Sequence, residues 1–294
     1  MSQTVPTAEP PLAAEALERN ELAFFPSCPF ALPPAGQLEF LRRQETAAFG
    51  HKDVSFDPVR RKLAGQKSTH PSEARRLADI LAEFSAAATA WLLKTYPQYT
   101  RGLVRDRATL RTVEEATRTV RLTARNDLLH IDNFPSRPAL GRRILRLYVN
   151  INTTDPRVWA TSEQFPELLA RFAAGHRIPA RPATAWTAPA RGMVGLLTGG
   201  RVRRSAYDAW TLKLHHFLKE DEAFQSQAAR KMWTFPPGSM WLLFPDGLAH
   251  AQLRGRFALD HSYFVPPECL ALPDESPLGL WQKFGRAVLT RRAV

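Results

Sequence analysis

The residues best suited to chemistry lie in Leu128-Leu129-His130-Ile131-Asp132-Asn133-Phe134-Pro135, a short apolar run that stops at a proline. On an extended strand alternate side chains share a face, so the His130 imidazole and the Asp132 carboxylate point the same way. A third candidate ligand, His250, follows far downstream in a second strand-like context. Two imidazoles and one carboxylate on one side of a metal form the facial triad of non-haem Fe(II) oxygenases, which leaves coordination positions open for reactants. His-x-Asp also arises by chance at surfaces and caps, so the surrounding elements decide how much weight it bears.

The most informative of those elements is Arg143–Asn152. Leu145, Leu147, Val149 and Ile151 fall on one face of this strand, and Arg146, Tyr148, Asn150 and Asn152 fall on the other. One oily face and one polar face suit a sheet backed by helices and opening on a polar cavity; a solvent-facing polar side is the competing reading. Pro71–Tyr96 carries apolar residues near the 3.6-residue period (Leu77, Ile80, Leu81, Phe84, Ala88, Trp91, Leu92), with Ser72 as the expected cap. Such a helix packs across one face of a sheet as a support.

Weaker helical patterns cover Gly36–Ala48, Glu163–Ala174, Tyr207–Ala229 and the tail from Leu278. His215 and His216 are adjacent in one of these, and read as packing or surface histidines. Thr117–Leu122 alternates like a strand, and Ser239–Phe244 and Phe257–Val265 read as further strands. The proline-bearing stretch 177–190 reads as irregular. A Pro-Gly turn, an apolar strand, a short loop and then His250 follow the order found in the second half of jelly-roll oxygenase cores.

Composition bounds the rest. In 294 residues, 44% hydrophobic content with 17 Phe and 7 Trp is enough for a large core. No apolar run approaches the ~20 residues of a bilayer span. The first residues lack the basic and apolar regions of a secretory signal, and two distant cysteines, Cys28 and Cys269, fit a reducing compartment. A net charge of +12 favours anionic partners: nucleic acid, an acidic membrane surface or an anionic substrate.

The stretch from His130-Ile-Asp132-Asn-Phe-Pro-Ser-Arg-Pro138 through Gly141-Arg-Arg-Ile-Leu-Arg146, Val149-Asn-Ile-Asn152 and Pro156-Arg-Val-Trp159 resembles the Kdo hydroxylase family. So do Tyr207-Asp208, Lys213-Leu-His215, Phe235-Pro-Pro-Gly238, His250-Ala251 and Ser276-Pro-Leu278. The resemblance runs from about residue 20 to the C-terminus. It implies an α+β fold, a double-stranded β-helix (jelly-roll) core with N-terminal and flanking support helices. The expected layout is a disordered tail over 1–20, then one dioxygenase domain: helical over about 21–105, β-helix over about 106–267, and a tail over 268–294.

It further implies Fe(II), 2-oxoglutarate and O2, with His130, Asp132 and His250 as metal ligands and catalytic centre. The reaction would hydroxylate C3 of 3-deoxy-D-manno-octulosonic acid (Kdo) in the lipopolysaccharide inner core, giving Ko. The carboxylate at 132 argues against related halogenases, which give up that ligand. Many such oxygenases carry an arginine about ten residues beyond the distal histidine to hold the cosubstrate's remote carboxylate, but here position 260 is Asp. Arg146, which shares its face with Tyr148 and Asn150, is the preferred substitute, and Arg256 the alternative.

Arg137, Arg142, Arg143 and Arg157 flank the expected site and are candidates for gripping the sugar acid. The partner expected is Kdo-bearing lipid A or a lipopolysaccharide precursor, met by a cytoplasmic enzyme peripheral to the inner membrane face. Nucleic acid is not expected, because aromatic and basic residues do not interleave as base-stacking surfaces require. Two other readings remain: an oxygenase of the same core acting on a different anionic substrate, and a non-catalytic basic β-sandwich that binds lipopolysaccharide or nucleic acid.

Overall fold

A computed structural model describes residues 13–46, 53–115, 120–173 and 204–291. In chain order the elements are α1 (Ala14–Glu18), β1 (Ala23–Phe25), α2 (Ala35–Arg42), β2 (Val54–Asp57), β3 (Lys62–Ala64), α3 (Pro71–Thr95), β4 (Val104–Arg111), β5 (Arg143–Asn150) and β6 (Arg157–Gln164). There follow α4 (Phe165–Ala173), α5 (Ala206–Glu220), α6 (Glu222–Gln227), β7 (Lys231–Phe235), β8 (Met240–Leu243), β9 (Leu248–Arg254), β10 (Ala258–Val265) and α7 (Pro277–Arg291).

Two antiparallel sheets face each other, one of seven strands in the order β1-β8-β5-β10-β4-β2-β3 and one of three in the order β7-β6-β9. The alternation along β5 sorts its side chains between two environments. Leu145, Leu147 and Val149 join Leu77, Ile80, Leu81, Phe84, Ala88 and Leu92 of α3 in the largest apolar cluster, behind the seven-stranded sheet. Truncating one such leucine to alanine costs about 2–5 kcal/mol. Tyr148 turns the other way and meets Trp159, Phe235, Trp241, Leu243 and Leu248 between the sheets. The polar side of β5 therefore faces a buried interior rather than solvent.

The outer face of the three-stranded sheet is covered in turn. Ala160, Ala249 and Ala251 pack with α4, α5 and α6 residues, and Leu129 and Ile131 join the same cluster. Small residues on β6 and β9 let those helices come close. They also explain why the His-x-Asp run is apolar: the side chains between and beside its ligands are buried on the opposite face.

Several boundaries differ from the sequence expectation. Ser72 does not cap α3; Pro71 takes its first turn after His70, a position that needs no amide donor. Residues 14–18 are helical and packed, not a loose tail. Leu17 is buried, and the Glu18 carboxylate accepts from the amides of Ala271 and Leu272 and from the Tyr99 hydroxyl. The helix expected over Tyr207–Ala229 breaks at Asp221, whose side chain caps α6 by accepting from the Phe224 amide. Leu122–Ala124 forms a 3-10 turn where a strand was expected, and the strand at this stage is β4, just upstream. Residues 117–119 of that expectation, and the stretch 177–190, lie outside the described residues.

α3 is also tied to the sheet by polar contacts. The Ser85 hydroxyl lies 2.7 Å from His261 Nε2, and the Thr89 hydroxyl 3.3 Å from the Tyr263 hydroxyl. Burial pushes His261 down from 6.5 to about 4. Between those values the unfolded chain binds a proton that the folded chain does not, so stability falls as pH drops through this window. Thermal melts between pH 7 and 4 are expected to show an acid-dependent loss approaching roughly 3 kcal/mol for this group, diminished in His261→Gln.

Candidate metal centre

His130 and His250 are joined across the two polypeptide segments by an antiparallel bridge. Its two backbone hydrogen bonds, His130 amide to His250 carbonyl and the reverse, measure 3.0 and 2.9 Å. Residues that exchange both bonds stand directly opposite each other with side chains on the same face. Asp132, two residues on, is fixed by its own amide, which donates to the Pro245 carbonyl at 2.8 Å. These three backbone constraints bring together the three candidate ligands, all buried.

The imidazoles are oriented by their second nitrogens. His130 Nδ1 is 2.7 Å from the Leu128 carbonyl and His250 Nδ1 is 3.0 Å from the Leu248 carbonyl. A carbonyl only accepts, so Nδ1 carries the proton in each ring and Nε2 is left with a free lone pair. Both Nε2 atoms lie 3.6 Å from the same Asp132 oxygen, Oδ1. That separation is less than two metal–ligand bonds of about 2.1 Å each, so one ion can touch both partners. His250 Nε2 is buried and has no hydrogen-bond partner. The Trp159 indole stacks on the His250 ring at 5.5 Å and 21°.

Protonation suits the same role. Burial, reinforced by the Lys219 cation, holds His130 well below its ordinary value, and burial also lowers His250. Burial would raise Asp132, but the Arg146 guanidinium and the two imidazoles override it and hold the carboxyl well below the usual range. Neutral imidazoles beside an ionised carboxylate are the donor set that a hard-to-borderline divalent metal requires.

Arg146 is the centre of a buried ladder of charge. Its Nη1 donates to Asp132 Oδ2 at 2.9 Å and its Nη2 to Asp260 Oδ1 at 2.6 Å. Asp260 Oδ2 in turn accepts from Arg111 Nε at 2.6 Å, and Arg111 Nη1 donates to Glu115 at 3.1 Å. The pairing of β10 with both β4 and β5 places these residues side by side. Arg146 thus holds Asp132 Oδ2 and leaves Oδ1 facing the imidazoles, the outer-shell support that orients a ligating carboxylate.

The family model for 3-deoxy-D-manno-oct-2-ulosonic acid (Kdo) hydroxylase matches residues 2–287. The chain belongs to the Kdo hydroxylase family. Solved structures of the Kdo hydroxylase KdoO, a non-haem Fe(II) α-ketoglutarate-dependent dioxygenase, superpose with most of it. The apo form has a TM-score of 0.80 at 30% identity, covering 92% of this chain and 88% of that one. The cobalt(II) complex gives 0.80 at 31% identity, and the complex with α-ketoglutarate and Fe(III) gives 0.79 at 30%, each with the same coverage. No curated protein matches the chain. The α+β expectation of a jelly-roll core with flanking helices is met.

Within this Kdo hydroxylase fold the other expected site residues occupy different places. Tyr148 lies in the interior, stacked on Trp241 at 5.3 Å, and its buried hydroxyl has no partner. The Asn150 amide donates to the carbonyls of Asp155 and Phe235, and its oxygen accepts from the Asn152 amide, which shapes the turn after β5. Arg256 lies at the surface, over the Phe257 ring and donating to the Thr112 carbonyl. Arg143 is buried in an ion pair with Asp246 and also donates to Asn20 and the Glu18 carbonyl.

Arg137 and Arg142 sit half-buried on the loop that follows Asp132. Arg137 pairs with Asp106 and covers the Phe134 ring, and Arg142 covers the Phe264 ring. Arg157 is wholly buried at the start of β6. His215, read from sequence as a packing residue, meets the His130 ring edge-on at 5.2 Å, and its Nδ1 lies 2.6 Å from the Ile131 carbonyl. It supports the ligand segment from α5. Helical periodicity alone does not show which buried histidine touches a site.

The ladder yields a prediction. Asp260→Asn removes one of the two carboxylates that hold Arg146, and is expected to weaken Co(II) binding roughly 10–100-fold, as loss of outer-shell partners does. Calorimetric titration of the apo protein measures this directly, and Arg256→Gln is expected to leave the affinity unchanged.

Proposed function

We propose that this Kdo hydroxylase family member inserts one oxygen at C3 of Kdo, giving Ko, in Kdo-bearing lipid A or a lipopolysaccharide precursor. His130, Asp132 and His250 would hold Fe(II) and form the catalytic centre. The observation that carries the reading is the convergence of two unprotonated Nε2 atoms on one buried carboxylate oxygen. Bound ferrous iron with 2-oxoglutarate supplies the oxidising chemistry: O2 is consumed, the cosubstrate leaves as succinate and CO2, and a C–H bond becomes C–OH.

The chain's own groups then have definite tasks. The Leu128 and Leu248 carbonyls keep each Nδ1 protonated, and so keep each Nε2 available to metal. Arg146 keeps Asp132 ionised. Tyr148, Trp159, Trp241 and Phe235 form an aromatic wall that excludes water from the interior side. Arg137 and Arg142, half-buried on the loop beside Asp132, would meet the sugar carboxylate; a guanidinium suits that group through paired hydrogen bonds.

The positive charge supports work at a membrane surface. A net charge of +12 is drawn to phosphates and sugar acids on an anionic leaflet. Among the described residues no helix is long and apolar enough to cross a membrane.

The test is mass spectrometry of Kdo-lipid A incubated with the protein, Fe(II), 2-oxoglutarate and air. A gain of one oxygen on Kdo, with stoichiometric succinate, is expected. His130→Ala, Asp132→Ala and His250→Ala are each expected to abolish it while still melting cooperatively. Succinate formed with unaltered Kdo would assign the chain another substrate, and no succinate at all would favour a binding protein.

A further inference from the structure

Five large apolar side chains are exposed among the described residues, and three of them gather at one end of the seven-stranded sheet: Val59 (68%), Leu140 (56%) and Val104 (41%). Single exposed apolar residues are ordinary, but a group of them rimmed by charge marks a contact surface. Register brings the three together. Phe264 of β10 pairs with Val104 of β4 on one side and with Ile144 of β5 on the other. Phe56 of β2 pairs with Ala108, so the chain leaving β2 runs past Arg107 toward Val104 and turns at Val59. The loop bearing Leu140 closes the group, because Ala139 packs on Phe264 and Arg137 pairs with Asp106 of β4.

The backbone holds two of these side chains outward. The Asp57 carboxylate accepts from the Val59 and Arg60 amides at 3.0 and 2.9 Å, which fixes the β2–β3 turn. Leu140 has φ +56°, a left-handed conformation that disfavours leucine, and its amide donates to Asp208 Oδ1 at 3.0 Å. The folded chain thus accepts backbone strain to present an aliphatic side chain that packs on nothing of its own.

Around them cations outnumber carboxylates. Arg60, Arg61, Lys62 and Arg105 are exposed, and Arg107 is half-buried between them. Arg60 meets Asp57 only at 3.5 Å and Arg61 meets Asp79 at 3.8 Å, while Asp106 is engaged by Arg137. Burial holds Arg107 below its ordinary value, and the Arg137 and Arg60 cations add to the effect. An anionic surface relieves such crowding.

Resting on the proposed function, we infer that this end of the sheet docks on an anionic phospholipid bilayer, with Val59, Val104 and Leu140 entering the headgroup–acyl boundary and the arginines meeting lipid phosphates. Aliphatic tips among cations suit that boundary. They do not suit nucleic acid, whose bases call for aromatic stacking. Leu140 lies on the loop that follows Asp132, so docking turns that loop toward the leaflet.

The experiment is cosedimentation of the full chain, without iron, with vesicles of phosphatidylglycerol and phosphatidylcholine in equal parts and of phosphatidylcholine alone. Wild-type protein is expected to partition on the order of 100-fold more strongly onto the anionic vesicles. Arg60→Glu with Arg61→Glu is expected to weaken this roughly 30-fold or more. Val59→Ser with Leu140→Ser, which keeps every charge, is expected to weaken it about tenfold. Arg254→Glu with Arg256→Glu changes the net charge equally at the β9–β10 turn, the far end of β10, and is expected to have little effect.

Equal losses in the two charge-reversed proteins would assign binding to net charge and overturn the docking surface. So would undiminished binding in the serine variant, or dimers of the chain lost on Val59→Ser in place of any anionic preference. The vesicles carry no Kdo, so each of these failures leaves the proposed function standing, and unaltered Kdo in the oxygenation test leaves the docking result standing.

Discussion

The active-site geometry depends on one pair of backbone hydrogen bonds. The His130–His250 bridge joins segments that are remote in sequence and belong to no longer ladder with each other, yet it fixes the two imidazoles opposite one another. Everything nearby serves to hold that bridge. Leu129 and Ile131 anchor one segment beneath α5, and the Pro245-Asp246-Gly247 turn holds the entry to the other through Arg143. Asp132 is then placed by its amide on the Pro245 carbonyl. The candidate ligands inherit their positions from the backbone bridge and the packed core.

The second constraint is electrostatic. The space between the sheets contains Asp132, Arg146, Asp260, Arg111 and Glu115 in alternating sign. Each charge out of water is tolerable only because it has an opposite neighbour. Asp132 is the end of this ladder, so its second oxygen is left facing the two imidazoles. The same principle therefore accounts for the ionised state of the candidate ligand Asp132 and for its support by Arg146.

Much of this was legible in the sequence. The period of two along Arg143–Asn150 identified both faces of the central strand, and the period of 3.6 along Pro71–Thr95 found the helix behind it. His-x-Asp located two candidate ligands, because alternation is local. The family-like motifs then paired them with His250. What sequence left open was non-local. Whether the polar face of β5 met solvent or interior depended on the opposite sheet. Which arginine was already paired depended on Asp260 from β10, brought alongside by register alone. Arg146, Arg143 and Arg157 look alike as residues; their partners distinguish them. The packing of Leu17 and the break at Asp221 were likewise set by tertiary contacts that composition does not report.

The claim on which the account rests is that one divalent ion binds His130, Asp132 and His250. Anomalous diffraction from crystals of the protein loaded with cobalt(II) tests it most directly. A single strong peak within bonding distance of His130 Nε2, His250 Nε2 and Asp132 Oδ1 is the predicted result. A peak bound elsewhere, or none between these three atoms at saturating cobalt, would contradict it.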